Sequence, residues 1–260
     1  MEFENSICIV TGGGGGIGAE LARGLARGGA EHVVVTDLNG EAAAQVADEI
    51  GGTAVTCNAA DKAALEQLVE ETEAKFGRID IICSNAGILC PDAPGGHAAS
   101  CSDDEWMRSW AVNTMAHVRI ARAALPGMIA RGSGAFLITV SAAGLLNIVS
   151  HASYGATKNA ALAFAESLAI THGDDGIHVG ALCPQGVDTD MARNSTEESG
   201  AWVDGVMSAR DVADAALDGM RDGKFLLLPH QAVAEYFSRK SSNYDRWVGG
   251  MRKFRRSLQE

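Results

Sequence analysis

Tyr154 and Lys158 stand four residues apart in a stretch of helical character, so their side chains share one face and an ammonium lies beside a phenol. A free phenol titrates near ~10, and bringing it to ~7 needs roughly 4 kcal/mol, within the reach of two nearby cations in a dry cleft. A phenol so tuned takes the proton of an alcohol while hydride leaves the same carbon. Ser141, thirteen residues before Tyr154 at the end of an apolar run, can donate to that oxygen. Asn113 can anchor a water in a proton path from Lys158 to solvent. Each has a plainer role: a YxxxK spacing is common on helix surfaces, Ser141 suits a turn, and Asn113 suits a buried amide. Their joint presence in this order carries the chemical reading.

Hydride needs an acceptor, and the chain offers a seat for one. Thr11-Gly12-Gly13-Gly14-Gly15-Gly16-Ile17-Gly18 follows the β-branched run Ile7-Cys8-Ile9-Val10 and leads into Ala19-Glu20-Leu21-Ala22. That pattern predicts a tight turn from a buried strand into a helix whose first N–H groups, helped by the helix dipole, hold a pyrophosphate. Asp37, nineteen positions after Gly18 at the end of the next strand, can accept both ribose hydroxyls of an adenosine. Its charge repels a 2′-phosphate, and Gly13, Gly14, Gly15, Leu38 and Asn39 supply no cation to counter it, so NAD is expected over NADP. A solvated strand end is the plainer role for Asp37.

The elements that must position these groups alternate. Strands are expected at Val33 to Asp37, Thr53 to Cys57, Ile79 to Cys83, Ala135 to Val140, Ile177 to Leu182 and Phe225 to Leu228, besides the first. Helices are expected over Glu20 to Gly29, Glu41 to Ile50, Lys62 to Phe76, Ser102 to about Leu125 and Ser153 to Thr171. Gly77 suits a helix stop, Ser102 with Glu105 a capping box, and Pro126-Gly127 a disturbed helix end. Seven short apolar strands alternating with helices predict an α/β fold, a parallel sheet covered on both faces. Leu89 to Ser100 and Asp190 to Gly205 break the rhythm after strand ends, and the second suits a substrate-covering loop. Beyond Pro229, Tyr244, Trp247, Val248, Met251 and Phe254 recur at helical spacing among Arg246, Arg252, Lys253, Arg255 and Arg256. An amphipathic helix covering its own core or a neighbouring subunit is the commoner form of that pattern, a membrane-surface helix the rarer.

The formal net charge of -12 over 260 residues argues against a nucleic-acid surface. The six cysteines show neither a CxxC pair nor zinc-ligand spacing, which fits small buried hydrophobes in a reducing compartment, and no metal is expected. The N-terminus lacks a basic region followed by an apolar core, and no apolar run approaches membrane-span length, so a cytoplasmic protein is expected.

With these residues in place, the sequence resembles the short-chain dehydrogenase/reductase family from about Ser6 to Pro229. The turn matches TGxxxGxG, Asn85-Ala86-Gly87 matches the NAG motif, and Ser141, Tyr154 and Lys158 with Asn113 match the catalytic set. The resemblance implies a Rossmann-like doubly wound sheet in a single NAD(P)-binding and catalytic domain, here residues 1–260 with 230–260 as a C-terminal amphipathic helical extension. It implies that Lys158 holds the nicotinamide ribose, that Asn85 packs near the adenosine ribose, and that Val187 and Thr189 meet the carboxamide. Gly12, Gly16, Ile17, Gly18, Leu38, Ala59, Ala86, Gly87, Pro184 and Gly186 complete the expected cofactor contacts. Members are usually dimers or tetramers, assembled through the helices holding Asn113 and Tyr154. Three positions depart from the commonest pattern. Asn58 replaces an aspartate at the adenine amino group, Pro184-Gln185-Gly186 replaces Pro-Gly, and Gly180 stands where asparagine is frequent.

The expected activity is NAD-dependent interconversion of a secondary alcohol and a ketone, with small-molecule substrates and a homo-oligomeric assembly, a tetramer or dimer. Ala143, Leu145, Leu146, Gln185, Met191 and Trp202 are expected to line a mostly apolar substrate pocket, with His151 bonding a substrate polar group or facing the rim. The rival readings are a sugar-nucleotide epimerase or dehydratase, which usually carries a longer C-terminal substrate domain, and a noncatalytic NAD-binding scaffold, which tends to lose the tyrosine or lysine.

Overall fold

In the computed structural model, which describes residues 1–93, 97–193 and 202–258, the apolar runs become parallel strands. They are β1 (Ile7–Thr11), β2 (His32–Asp37), β3 (Thr53–Thr56), β4 (Ile81–Ser84), β5 (Gly134–Thr139) and β6 (Ile177–Leu182), followed by the short β7 (Val187–Asp188), β8 (Met207–Ser208) and β9 (Leu226–Leu227). The helices between and after them are α1 (Gly16–Arg27), α2 (Gly40–Ile50), α3 (Lys62–Phe76), α4 (Asp103–Trp110), α5 (Ala116–Arg131), α6 (Ala142–Leu146), α7 (Ala152–His172), α8 (Asp190–Arg193), α9 (Ala209–Arg221), α10 (Gln231–Ser242) and α11 (Tyr244–Ser257). The main sheet has the order β3-β2-β1-β4-β5-β6-β9, and β7 and β8 pair separately. The chain winds outward from β1 to β3 and then crosses back to β4. That reversal leaves a crevice at the carboxyl ends of β1 and β4, where ligands of doubly wound sheets bind.

Successive strand residues point to opposite faces, and each face has its own core. Ile9, Val34, Ile82 and Phe136 pack with Leu65, Ile120 and Ala161 from α3, α5 and α7. Cys8, Val10, Val35 and Leu137 pack with Leu21, Val46 and Leu217 from α1, α2 and α9 on the other side. Burying a side chain of this size stabilises by roughly 1.5–3 kcal/mol, and β1, β4 and β5 are buried at every residue.

Several boundaries differ from the sequence expectation. α1 starts at Gly16, inside the glycine run. The helix expected to end near Leu125 runs through Pro126 and Gly127 to Arg131, stopping at Gly132 in the left-handed conformation. Pro126 removes one N–H bond, but Ala124 and Met128 beside it are fully buried, and packing outweighs the local loss. Gly127 serves a close approach instead, because a Cβ there would stand 2.5 Å from Glu73 Oε1 on α3. The capping box at Ser102 forms, with Ser102 N–H donating to Glu105 at 2.8 Å and Glu105 N–H returning to Ser102 Oγ at 3.3 Å. Between α4 and α5 lies a π-helical turn, Ala111–Met115. The tail forms two helices, parted at Asn243, whose side chain caps the second through Arg246 N–H at 2.9 Å. Of the loop expected over Asp190 to Gly205, residues 194–201 lie outside the described residues, as do 94–96 of the earlier one.

Candidate active site

The cofactor end is shaped by what its glycines leave out. Gly12 has φ +63, and a Cβ there would stand 2.9 Å from Ala86 Cα. A Cβ on Gly18 would lie 2.0 Å from Gly12 O, so α1 can start against β1 only without one. No side chain caps α1, which leaves its first N–H groups to a ligand. Asp37 Oδ2 accepts Gly14 N–H at 3.0 Å and Oδ1 accepts Asn39 N–H at 2.9 Å. A carboxylate carries about four lone-pair sites, so each oxygen can still take a ribose hydroxyl. Asn85 ties three strands, donating to Thr11 O and Gly12 O at 3.1 and 3.2 Å and accepting from Thr139 Oγ1 at 3.0 Å. The open glycine turn, bare helix start and strand-end carboxylate fit a dinucleotide.

At the chemical end, β5 delivers Ser141 and α7 delivers Tyr154 and Lys158. Lys158 is 2% exposed, its Nζ donates to Thr139 O at 2.8 Å, and it sits 5.7 Å from the centroid of the Tyr154 ring. Burial lowers its pKa to about 8. Burial raises the Tyr154 phenol above its ordinary value, and a hydrogen bond from Ser141 works the other way. The expected lowering by Lys158 is thus not produced by the protein's own groups: the ammonium is engaged by the Thr139 carbonyl, and desolvation of the phenol dominates. Ser141 Oγ accepts Ala143 N–H at 3.1 Å at the start of α6.

Asn113 lies in the π-helical turn and is fully buried. Its Oδ1 accepts Ile88 N–H at 2.8 Å, and its Nδ2 donates to Ile88 O at 2.9 Å and to Thr157 Oγ1 at 3.2 Å. The side chain is therefore a satisfied buried amide. A Cβ on Gly87 would stand 3.4 Å from both Asn113 Oδ1 and Lys158 Nζ, which places the amide beside the ammonium. His117, one turn later, has Nδ1 2.7 Å from Ser84 Oγ and a buried Nε2 without a partner. Burial, then the Lys158 charge, lowers it to about 3. His117 carried no motif and was not singled out from sequence.

One cleft of about 320 Å³ joins the two ends, from Gly12, Gly16, Ile17 and Asp37 to Ser141, Tyr154 and Lys158. Asn85, Ala86, Gly87, Pro184, Gly186, Val187 and Thr189 also line it, as do Gln185, Met191 and Trp202. Gly18 lies buried beneath the turn. Leu38 is 71% exposed and stands off the cleft, because it follows the strand end on its solvent side. Asn58 is exposed, with Oδ1 held by Ala60 N–H at 3.0 Å, and Ala59 packs on the core.

Two substrate expectations need correction. In the short helix α6, Ala143 and Leu146 share one face and border a second cavity. Leu145 points the other way, into the core, and its carbonyl accepts Lys240 Nζ at 2.6 Å. His151 is 0% exposed, donates from Nδ1 to Val149 O at 3.0 Å, and borders neither the cleft nor its rim. Sequence reading missed Thr139, Val140 and Ile148 in the cleft wall; the first two directly precede Ser141 and were accessible from that position. It also missed His230, which accepts Gln185 N–H at 3.1 Å and donates to Gly186 O at 3.0 Å, fixing the turn after β6. Gln185 Nε2 donates to Asp204 at 2.9 Å, and Asp204 accepts Tyr236 OH at 2.9 Å.

Among the described residues no group of His, Cys, Asp and Glu is placed to hold a metal, and no helix is long and apolar enough to cross a membrane. The family model for short chain dehydrogenase matches residues 6–200. The chain is 36% identical over 234 residues to 1-deoxy-11-beta-hydroxypentalenate dehydrogenase of Streptomyces exfoliatus, covering 87% of this chain and 84% of that protein. It is 32% identical over 201 residues to meso-2,3-butanediol dehydrogenase of Serratia marcescens, covering 76% and 78%. Among solved structures, 3-ketoacyl-(acyl-carrier-protein) reductase from Brucella melitensis, complexed with NADH, superposes with a TM-score of 0.80 at 26% identity, covering 87% of this chain and 97% of that one. A short-chain dehydrogenase/reductase from Burkholderia phymatum, in complex with NAD, shares the fold with a TM-score of 0.82 at 23% identity, covering 94% and 96%. The crevice at the sheet reversal, the groups gathered in it and this match over three quarters of the length agree: the chain is an oxidoreductase of the short-chain dehydrogenase family.

Proposed function

We propose that the chain is an NAD-dependent dehydrogenase interconverting a secondary alcohol and a ketone, with residues 1–260 acting as one cofactor-binding and catalytic domain and 230–260 as its helical extension. The observation that carries this reading is the single cleft joining the glycine turn and Asp37 to Ser141, Tyr154 and Lys158. NAD, when bound, supplies the hydride acceptor. The first N–H groups of α1 hold its pyrophosphate and Asp37 its adenosine ribose. No arginine lines the cleft among the described residues, so a 2′-phosphate would meet the Asp37 carboxylate uncompensated.

Tyr154 is the general acid/base. Its phenolate takes the alcohol proton in oxidation, and the phenol returns it to the ketone oxygen in reduction. Ser141 donates its one hydroxyl hydrogen to that substrate oxygen. Lys158 lies close enough to stabilise the phenolate and keeps donors beyond the one given to Thr139 for a ribose hydroxyl. Asn113 acts by fixing the segment at Ile88 against α7, and its main chain is the part left for a proton path. The raised phenol pKa keeps the proton on Tyr154 at neutral pH, so oxidation should speed as pH rises and ketone reduction should slow.

The assembly is a homo-oligomer in a reducing, cytoplasmic setting. Exposed Met107 and Trp110 on α4, Ile129 on α5 and Ile170 on α7 support the first point, and six buried free cysteines support the second. Absorbance of NADH formed from NAD and a panel of cyclic and aromatic secondary alcohols tests the reaction. Formation of NADH with at least one alcohol is expected. A protein that binds NADH yet reduces no NAD with any of them would be a scaffold.

A further inference from the structure

Beside the catalytic cleft lies a second cavity of about 510 Å³, which shares Ser141, Ile148 and Gln185 with it. Its far wall is Trp247, Met251 and Phe254 of α11, residues that share one helix face. Although α11 is amphipathic, it buries no residue fully; Trp247 packs partly on the core, Trp247 and Met251 also border a neighbouring cavity, and the rest of this apolar face meets the chamber. Arg239 is the charged side chain on the wall among the described residues. It is paired with Glu235 and lies 5.8 Å from the Tyr236 ring centroid, so its charge is already answered. Gly250 borders the cavity, and a Cβ there would meet nothing within 4 Å. The smaller cleft must already hold the nicotinamide end of a cofactor, which leaves this chamber as the room beside Ser141. Half of its lining, including the whole α11 wall, lies beyond residues 6–200, the part matched by the family model.

We propose that this chamber seats the apolar body of a bulky, neutral, at least bicyclic alcohol or ketone, whose hydrocarbon frame passes Ser141 and rests beneath α11. Desolvation of apolar surface drives the binding, and the α11 face selects for size. Which end of the ligand reacts rests on the proposed role of Tyr154; occupancy of the chamber does not.

Gly250→Leu tests it. Leucine favours a helix interior over glycine, so the variant keeps α11, and its side chain enters the open space. Gly249→Leu makes the same change one position away, off the cavity wall and with nothing within 4 Å. Calorimetric titration of the NADH-loaded protein with 2-decalol and with cyclohexanol reads occupancy without turnover. The native protein and Gly249→Leu should bind 2-decalol at least about tenfold more tightly than cyclohexanol, a difference of about 1.4 kcal/mol. Gly250→Leu should lose that preference while holding cyclohexanol within about twofold. Equal affinities for the two alcohols in the native protein, or a preference untouched by Gly250→Leu, would overturn the proposal. Oxidation of 2-decalol and of cyclohexanol with NAD is followed separately: absence of NADH from both, beside intact 2-decalol binding, counts against the proposed reaction and keeps the chamber.

Discussion

The cofactor cleft and the helix beyond the neighbouring cavity hold glycine for opposite reasons. At the cofactor side, Gly12 and Gly18 are places where backbone meets backbone, and a Cβ on Gly18 would overlap Gly12 O. On α11, Gly249 and Gly250 face open space. One region is built by close approach between buried strand ends and is spoiled by the addition of a methyl group. The other is a half-exposed helix whose glycines cost helix propensity and leave volume. A family can therefore keep one cofactor seat while its members alter the far wall.

The contrast can be broken at several points. The largest expected effect is at the buried end, where Tyr154→Phe should lower kcat by about 10³-fold or more while NADH affinity, measured by fluorescence, stays nearly unchanged. Equal activity would remove Tyr154 from the chemistry. Gly18→Ala should cost about 3 kcal/mol in denaturant unfolding and weaken NADH binding, since strand or helix must shift to admit the methyl. Next comes His117, whose folded pKa of about 3 lies below its unfolded value near ~6.5. The unfolded chain then binds the extra proton, so stability is full above that unfolded value and declines as pH falls towards the folded one. His117→Gln, which keeps a partner for Ser84, should remove about 2–3 kcal/mol of the stability lost between pH 7 and pH 4.5. An unchanged slope of stability against pH would show that the ring is not held neutral. Asp37→Ala should weaken NADH about tenfold and narrow its advantage over NADPH, because a charge-assisted bond and a repulsion vanish together. The smallest effect belongs to the open region: Gly249→Leu should stabilise by less than about 1 kcal/mol. A loss comparable to that at Gly18 would erase the distinction between the two regions.

The same division governs what the sequence disclosed. Strand positions were legible because apolar β-branched runs have few other uses, and the seven-stranded sheet followed from their alternation with helices. Ser141, Tyr154 and Lys158 were legible because their chemistry needs those residue types at strand and helix positions that the alternation supplies. Pro126 misled because local propensity says stop, whereas burial of Ala124 and Met128 says continue. Leu145 was misplaced because one residue of helical phase separates a cavity wall from the core, and proximity along the chain does not reveal phase in a five-residue helix; His151 was misplaced because it precedes α7 at its N-cap and its ring is bonded back to Val149 O. Tyr236 and Trp247 lie 82 and 93 residues beyond Tyr154, and their meeting with α6 is a matter of tertiary packing that no local pattern encodes. The amphipathic stripe of α11 was visible, but what it covers was not.

All six native thiols are buried, and burial holds Cys8 and Cys183 at about 12, far from the thiolate form that reacts with maleimides and iodoacetamides. A cysteine introduced at an exposed place on α11, such as Val248, which is 49% exposed, would therefore outpace them. The wild-type background needs no cysteine removal before a fluorophore or spin label is attached there, and the helix nearest the chamber can report its own movements as ligands arrive.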